Sequence, residues 1–409
     1  MVAFPDWTVG SFLESHIPSW LLPFCCNAMD ARPVSIGAYY YPWWDDATNK
    51  HWPEGYLREN LSPVHEPLLG HYSVRDTAVI DQHFQWAKDY GINLFVASWW
   101  GRDSFEDITL RDYMFPSSNL GDLKIALFYE SFGLLAKNSN NQIDFDDTAN
   151  QQKLISDLSY MAETYFGHSN YFTIHDKAVV FFYVTRVYTG NYRHAFDAAK
   201  AHIQSSYDCE LYLIGDEVWW SDPVIDRIAT FDAITAYNLH GPSRYNGYPE
   251  ATGFIQESES LYKNYQDVAK DCHGKKVDLI PGVLPAFNDR GVRLETDHYV
   301  IPHEVRAELA GSMQYSTFWE SLAMAYRVIQ CRSNSNSNDP TAIIMVTSFN
   351  EWHEDTNIEP TKATAASTNE PFLYTQGYTV EDYGFKLLEL IPKFLNEVVA
   401  AATHGESVS

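Results

Sequence analysis

Short, continuous apolar runs alternate along this chain with longer stretches whose apolar positions recur with a helical period. Eight runs read as strands: 34–41 (VSIGAYYY), 92–99 (INLFVASW), 123–129 (LKIALFY), 178–184 (AVVFFYV), 211–215 (LYLIG), 231–237 (FDAITAY), 277–283 (VDLIPGV) and 342–349 (AIIMVTSF). Strands buried on both faces of a parallel sheet show such unbroken hydrophobicity. The helical stretch 77–90 puts Val79, Ile80, Phe84, Trp86 and Ala87 on one broad face and stops at Gly91. Similar patterns cover 152–166, 192–205, 257–272, 317–331 and 381–402. Eight strands, each followed by a helix or a long loop, predict an α/β fold, a single (β/α)8 TIM barrel with long βα loops. An open doubly wound sheet fits less well, because the first strand runs into Tyr41-Pro42-Trp43-Trp44 rather than a glycine-rich phosphate turn.

Loops 43–73 and 285–314 hold much of the extra length, and the polar tract 333–338 (SNSNSN) reads as a surface loop. Residues 34–409 are expected to form one barrel domain, with 1–33 as a packed or leader-like N-terminal segment. Within it, 17–29 (IPSWLLPFCCNAM) resembles a signal core, but Asp6 and Glu14 stand where a basic region belongs. The sequon Asn60-Leu61-Ser62 is followed by Pro63, which disfavours glycosylation. No apolar run reaches the roughly 18 residues of a spanning helix.

Composition narrows the partners. With 54 acidic against 28 basic residues in 409, the net charge of -26 repels phosphate backbones, so nucleic acid is not an expected partner. Aromatic residues make up 15% of the chain, including 27 Tyr and 12 Trp, which suits a carbohydrate cleft as well as a core. The five cysteines (Cys25, Cys26, Cys209, Cys272 and Cys331) show neither CxxC nor metal-ligand spacing. No metal or other cofactor is expected, and the protein is expected to act as a monomer.

In a (β/α)8 barrel, chemistry gathers at the C-terminal ends of the strands. Those ends carry Tyr41, Trp43 and Trp44; Ser98, Trp99 and Trp100; Glu130; Arg186; Asp216 and Glu217; Tyr237 and Asn238; and, on the seventh, 285–289 with Asn288. The eighth ends in Asn350-Glu351-Trp352-His353-Glu354. Carboxylates handle protons or attack an anomeric carbon while Trp and Tyr faces stack on sugar rings, so an oligo- or polysaccharide is the expected substrate. His51 and His71, in the first long loop, are candidate donors to sugar hydroxyls. Glu351 and Glu354 lie three apart, which in a helical turn puts them on one face. Two carboxylates that close let one stay protonated while the other is ionised.

The segments GAYYYPWW (37–44), SWWG (98–101), Tyr129-Glu130, PGVLPAFNDRGVR (281–293) and TSFNEWHEDTNIEP (347–360) resemble glycoside hydrolase family 99 in order and spacing. The resemblance implies a (β/α)8 barrel acting on α-mannosides as a metal-independent, retaining endo-enzyme, with a secretory or extracellular location slightly favoured. It implies that Glu351 deprotonates the sugar 2-hydroxyl, so that O2 attacks the anomeric carbon and forms a 1,2-anhydro sugar. Glu354 is then the acid for the leaving oxygen and the base for water. Glu130 and Tyr237 match positions lining the sugar, and Trp99 or Trp100 matches a wall of the site.

Three positions depart from that pattern: Phe128 replaces a histidine, Thr185-Arg186 ends strand four, and Asn288-Asp289-Arg290 replaces a more familiar Asp-Asp-Thr. Arg102, Arg186, Arg290 and Arg293 all fall on the βα side, and two readings stay open. Each pairs with a local acid, or one or two contact an anionic sugar, sulfated or uronate-bearing, in a same-mechanism glycosidase. A carbohydrate-binding protein with a dead site is the alternative of another class. Its weakness is that binding alone needs no acid and base three residues apart.

Overall fold

The computed structural model describes residues 33–52, 66–239, 252–293, 300–301, 303, 316–332, 339–362 and 384–400. The N-terminal segment, the Asn60 sequon, much of the 43–73 and 285–314 loops, the 333–338 tract and the Arg290 side chain lie outside them.

Eight parallel strands form the barrel: β1 (Ser35–Tyr40), β2 (Ile92–Trp99), β3 (Lys124–Tyr129), β4 (Lys177–Phe182), β5 (Leu211–Asp216), β6 (Ala233–Thr235), β7 in two pieces (Asp278–Ile280 and Gly282–Val283) and β8 (Ile343–Val346). Pro281, which has no N–H to donate, divides β7. Its first piece pairs with β6 and its second with β8, which in turn pairs with β1, so this broken strand closes the ring. Gly282 permits the bend, since a Cβ there would meet the Ala236 carbonyl oxygen at 2.0 Å. The Tyr262 hydroxyl donates to the Gly282 carbonyl at 2.9 Å and accepts from its N–H at 2.8 Å.

The main helices following the strands are α1 (Thr77–Asp89), α2 (Phe105–Thr109), α3 (Thr148–Met161), α4 (Tyr192–Tyr207), α5 (Ile225–Thr230), α6 (Thr252–Ala269), α7 (Thr317–Gln330) and α8 (Lys386–Phe394). Asp76 caps α1, Asp147 caps α3 and Ser316 caps α7, each accepting a backbone N–H of the first turn. Such caps stabilise a helix by about 1 kcal/mol each.

Strand alternation sorts side chains into two cores. Leu94, Val96, Ala126, Phe128, Val179, Phe181, Tyr212, Ile214, Ile343 and Met345 fill the barrel lumen with Tyr39, Tyr41 and Tyr237. The intervening residues, such as Phe95, Leu127, Val180 and Leu213, pack against the helices. Burying each such side chain stabilises the fold by roughly 1.5–3 kcal/mol. The same alternation decides which residues face the mouth. Among the described residues, no helix is long and apolar enough to cross a membrane.

Candidate active site

The loop after β8 is tightly built. Its backbone closes on itself: Ser348 N–H donates to Thr356 O at 2.7 Å, Ile358 to Ser348 O at 3.0 Å and Glu359 to Phe349 O at 2.8 Å. Asn350 fastens it to β1, accepting the Tyr41 N–H at 2.7 Å and donating to the Tyr41 carbonyl at 3.0 Å. The indole N–H of Trp44 donates to the Asn350 carbonyl at 2.9 Å. Asn288 ties the loop to β7 by donating its N–H to the Glu354 carbonyl at 2.8 Å.

Glu351 is 3% exposed. Its Oε1 accepts the His353 N–H at 2.8 Å and lies 3.0 Å from His353 Nδ1, while its own N–H donates to Ser348 Oγ at 2.7 Å. The His353 ring stacks on Trp44, centroids 4.7 Å apart, with His51 edge-on at 5.2 Å. His51 stacks on Trp43 at 4.5 Å. Burial, aided by His353 and Lys50, lowers His51 to about 3, so it is neutral at physiological pH. Glu354 accepts from Arg293 Nη2 at 2.8 Å, and the same guanidinium bonds Asp289.

Three buried phenols feel the charge of these acids. Burial raises Tyr41, Tyr183 and Tyr237 above their ordinary range. Negative charge adds to that rise: Glu130 and Glu351 at Tyr41, Glu354 and Glu130 at Tyr183, Glu354 and Glu351 at Tyr237. The Tyr41 hydroxyl donates to that of Tyr237, joining β1 to β6 across the mouth. Glu130, at the end of β3, accepts from Ser98 Oγ at 2.6 Å, and Ser98 accepts the Trp100 indole N–H at 2.8 Å. Burial, opposed by the Ser98 bond and reinforced by Glu351 and Asp216, pushes Glu130 up to about 8. Trp100, 38% exposed, lies against Gly133.

Several expected contact residues face elsewhere. Trp99 points out of the barrel, fully buried beside Tyr129 and Tyr160, and its indole donates to Asp107 at 2.7 Å. Glu217 also points outward, pairing with Arg227 at 2.8 Å and accepting from Thr185 at 2.9 Å. Its neighbour Asp216 takes the inner position, accepting from Val184 N–H at 3.0 Å and Tyr237 N–H at 2.8 Å. Trp44 is sealed behind His353. Trp352 is fully buried and donates to Glu359 at 2.8 Å. Glu359, 1% exposed, also accepts from the Tyr72 hydroxyl at 2.7 Å and lies 3.2 Å from His83 Nε2. His83 Nδ1 in turn meets the Tyr40 hydroxyl at 3.0 Å. His71 stacks on Trp52 at 4.8 Å.

The arginines divide as follows. Arg102 pairs with Asp103 at 3.5 Å, both well exposed. Arg186 stacks on Trp219 at 4.0 Å, with Asp216 at 3.5 Å and Asn238 at 3.3 Å. Arg293 pairs with Asp289 and Glu354. Sequence reasoning placed Ser98 and Asp216 at the strand ends without separating them from their outward-facing neighbours, and it omitted Tyr183. Their signal was two-residue parity with the lumen residues Phe181, Val96 and Ile214.

Carboxylates, phenols and indoles collected at the C-terminal mouth of a (β/α)8 barrel define a glycoside hydrolase. Comparison with known proteins agrees. The family described as "Glycosyl hydrolase family 99" matches residues 38–387, and this chain belongs to it. A mouse glycoprotein endo-alpha-1,2-mannosidase-like protein is 23% identical over 365 residues, covering 79% of this chain and 69% of its own. The rat glycoprotein endo-alpha-1,2-mannosidase is 23% identical over 368 residues, covering 81% and 70%. Among solved structures, a glycoside hydrolase-like protein has a TM-score of 0.66 at 20% identity, covering 93% of this chain and 97% of that one. The GH99 endo-alpha-mannosidase from Bacteroides thetaiotaomicron has a TM-score of 0.58 at 20% identity, with coverage of 90% and 98%.

Proposed function

We propose that this glycoside hydrolase cleaves α-mannosidic linkages within a glycan, with retention, through a 1,2-anhydro sugar. The observation that carries the reading is the closed loop after β8, which carries Glu351 and Glu354 at the barrel mouth, where the negative charge of both acts on the phenol of Tyr237. Glu351 takes the proton of the 2-hydroxyl, and O2 attacks the anomeric carbon. Glu354 gives its proton to the departing oxygen. In the second step water attacks the anomeric carbon and yields a proton to Glu354, while Glu351 returns its proton to O2. Each acid–base role contributes roughly 10²–10⁴-fold. The names of the relatives, endo-alpha-1,2-mannosidases, support mannose as the sugar and internal cleavage as the mode. Phe128 meets the rings of Tyr39 at 4.8 Å and Tyr237 at 5.4 Å, so this position offers a sugar no hydrogen bond.

A charged glycan is the second reading, and Arg186 favours it. Its guanidinium is set in place by Trp219 and, among the described residues, engaged by Asp216 and Asn238 at 3.5 and 3.3 Å, an arrangement with N–H donors to offer an anionic substituent. Hydrolysis of a panel of neutral, sulfated and uronate-bearing α-mannans, with products identified by mass, separates the two. Glu351→Gln and Glu354→Gln are each expected to lower turnover at least about a hundredfold while glycan binding persists. Activity surviving both changes refutes the assignment.

A further inference from the structure

Glu354 is required in opposite charge states by the two steps: protonated to release the leaving group, ionised to receive a proton from water. A general acid is usually kept protonated by burial or by a neighbouring negative charge. Here it is held by a cation, with Arg293 Nη2 at 2.8 Å from its Oε1. We propose that Arg293 governs the protonation of Glu354, favouring the carboxylate in the free enzyme and again once the proton has passed to the leaving oxygen. The proposal rests on the reading of Glu354 as the acid–base residue.

Asp289 makes this arrangement workable. It is 1% exposed, one turn before Arg293, and bonded to the same guanidinium. When Glu354 takes a proton from solvent ahead of the first step, Arg293 keeps its partner in Asp289 and stays in place. When Glu354 has given that proton up as the C1–O bond breaks, the guanidinium is there to stabilise the new carboxylate. Among the described residues, the groups around Glu354 include Arg293 and Asp289 after β7, Tyr183 after β4, Tyr237 after β6, and Glu351 and His353 on its own loop. Arg186, near Tyr183, is a further cation on that side. Arg293 is joined to Glu354 by a charge-assisted bond at 2.8 Å.

An adjacent arginine favours an ionised carboxylate by about 1–3 pH units. The basic limb of kcat/KM, which reports the acid of the free enzyme, is therefore drawn to lower pH by Arg293. Arg293→Gln is expected to move that limb up by about 1–3 units and to lower the plateau several-fold, because the acid becomes weaker. Arg293→Lys, which keeps a cation, is expected to leave the limb close to that of the parent. A residue that only braced the loop would lower the rate evenly across pH. A limb unmoved in Arg293→Gln overturns the proposal.

A second measurement needs no substrate. With glutamate labelled at the side-chain carboxyl carbon, the ¹³C resonance lost in Glu354→Gln identifies Glu354. Its titration midpoint is expected to be higher in Arg293→Gln than in the parent by about 1 unit or more. Equal midpoints overturn the proposal. Failure to cleave any mannoside would instead count against the proposed function while leaving this titration able to decide.

Discussion

Glu130 sets an active-site demand against stability. It is 4% exposed, it receives one hydrogen bond from Ser98, and no Lys or Arg among the described residues pairs with it. Burial first, then Glu351 and Asp216, raises its carboxyl from 4.5 to about 8. Between those values the folded protein retains a proton that the unfolded chain has released. The contribution of Glu130 to stability is therefore most favourable below pH 4.5, falls as pH rises, and levels off above about 8. A shift of about 3.5 units at about 1.4 kcal/mol each amounts to a loss on the order of 5 kcal/mol. Glu130→Gln keeps the shape and an acceptor for Ser98 but is neutral at every pH. Urea unfolding of both proteins at pH 5, 6.5 and 8.5 tests the point. The variant is expected to gain on the parent progressively, by several kcal/mol at the highest pH. Glu217, raised to about 7, is common to both and cancels in the difference. A gap constant within about 1 kcal/mol across the series would refute the reasoning.

Two further changes probe the walls of the site. Gly133→Ala places a methyl group 2.4 Å from Cζ3 of Trp100, so the ring must leave its seat and its bond to Ser98. Steady-state kinetics are expected to show KM raised about tenfold, equivalent to roughly 1.4 kcal/mol of substrate binding, with little change in Tm. Trp99→Phe removes one of the donors to buried Asp107, which Tyr160, Tyr165 and the Asp103 N–H also serve, and a melting curve is expected to register a loss of about 1 kcal/mol while KM stays put. A rise in KM there would return Trp99 to the cleft.

The barrel was legible because buried parallel strands leave unbroken apolar runs, and all eight runs in the sequence correspond to barrel strands. The break in β7 was visible as Pro281, although the way its halves pair with different neighbours is a property of closure that sequence order does not contain. At the mouth, adjacency misled. Trp99 beside Trp100 and Glu217 beside Asp216 look equivalent as letters, yet strand pleating sends one of each pair outward. Extending the parity of Ile214 or Val96 by one step would have sorted them. The Arg293–Glu354 pair joins two loops whose approach depends on packing, so the motif alone could single out Glu354 but not its partner.

Glu359 ties together positions far apart in the chain. Its bonds unite Tyr72 and Trp352, and through His83 they reach Tyr40. During synthesis, Tyr72, and His83 of α1, emerge 287 and 276 residues before the carboxylate that satisfies them, and Tyr40 of β1 earlier still. Until it arrives, Tyr72 and His83 have polar groups that a closed core cannot leave unmatched. The first quarter of the barrel is therefore completed by the loop after β8, and β1 gains its full set of polar partners only once that loop has been made and folded onto it.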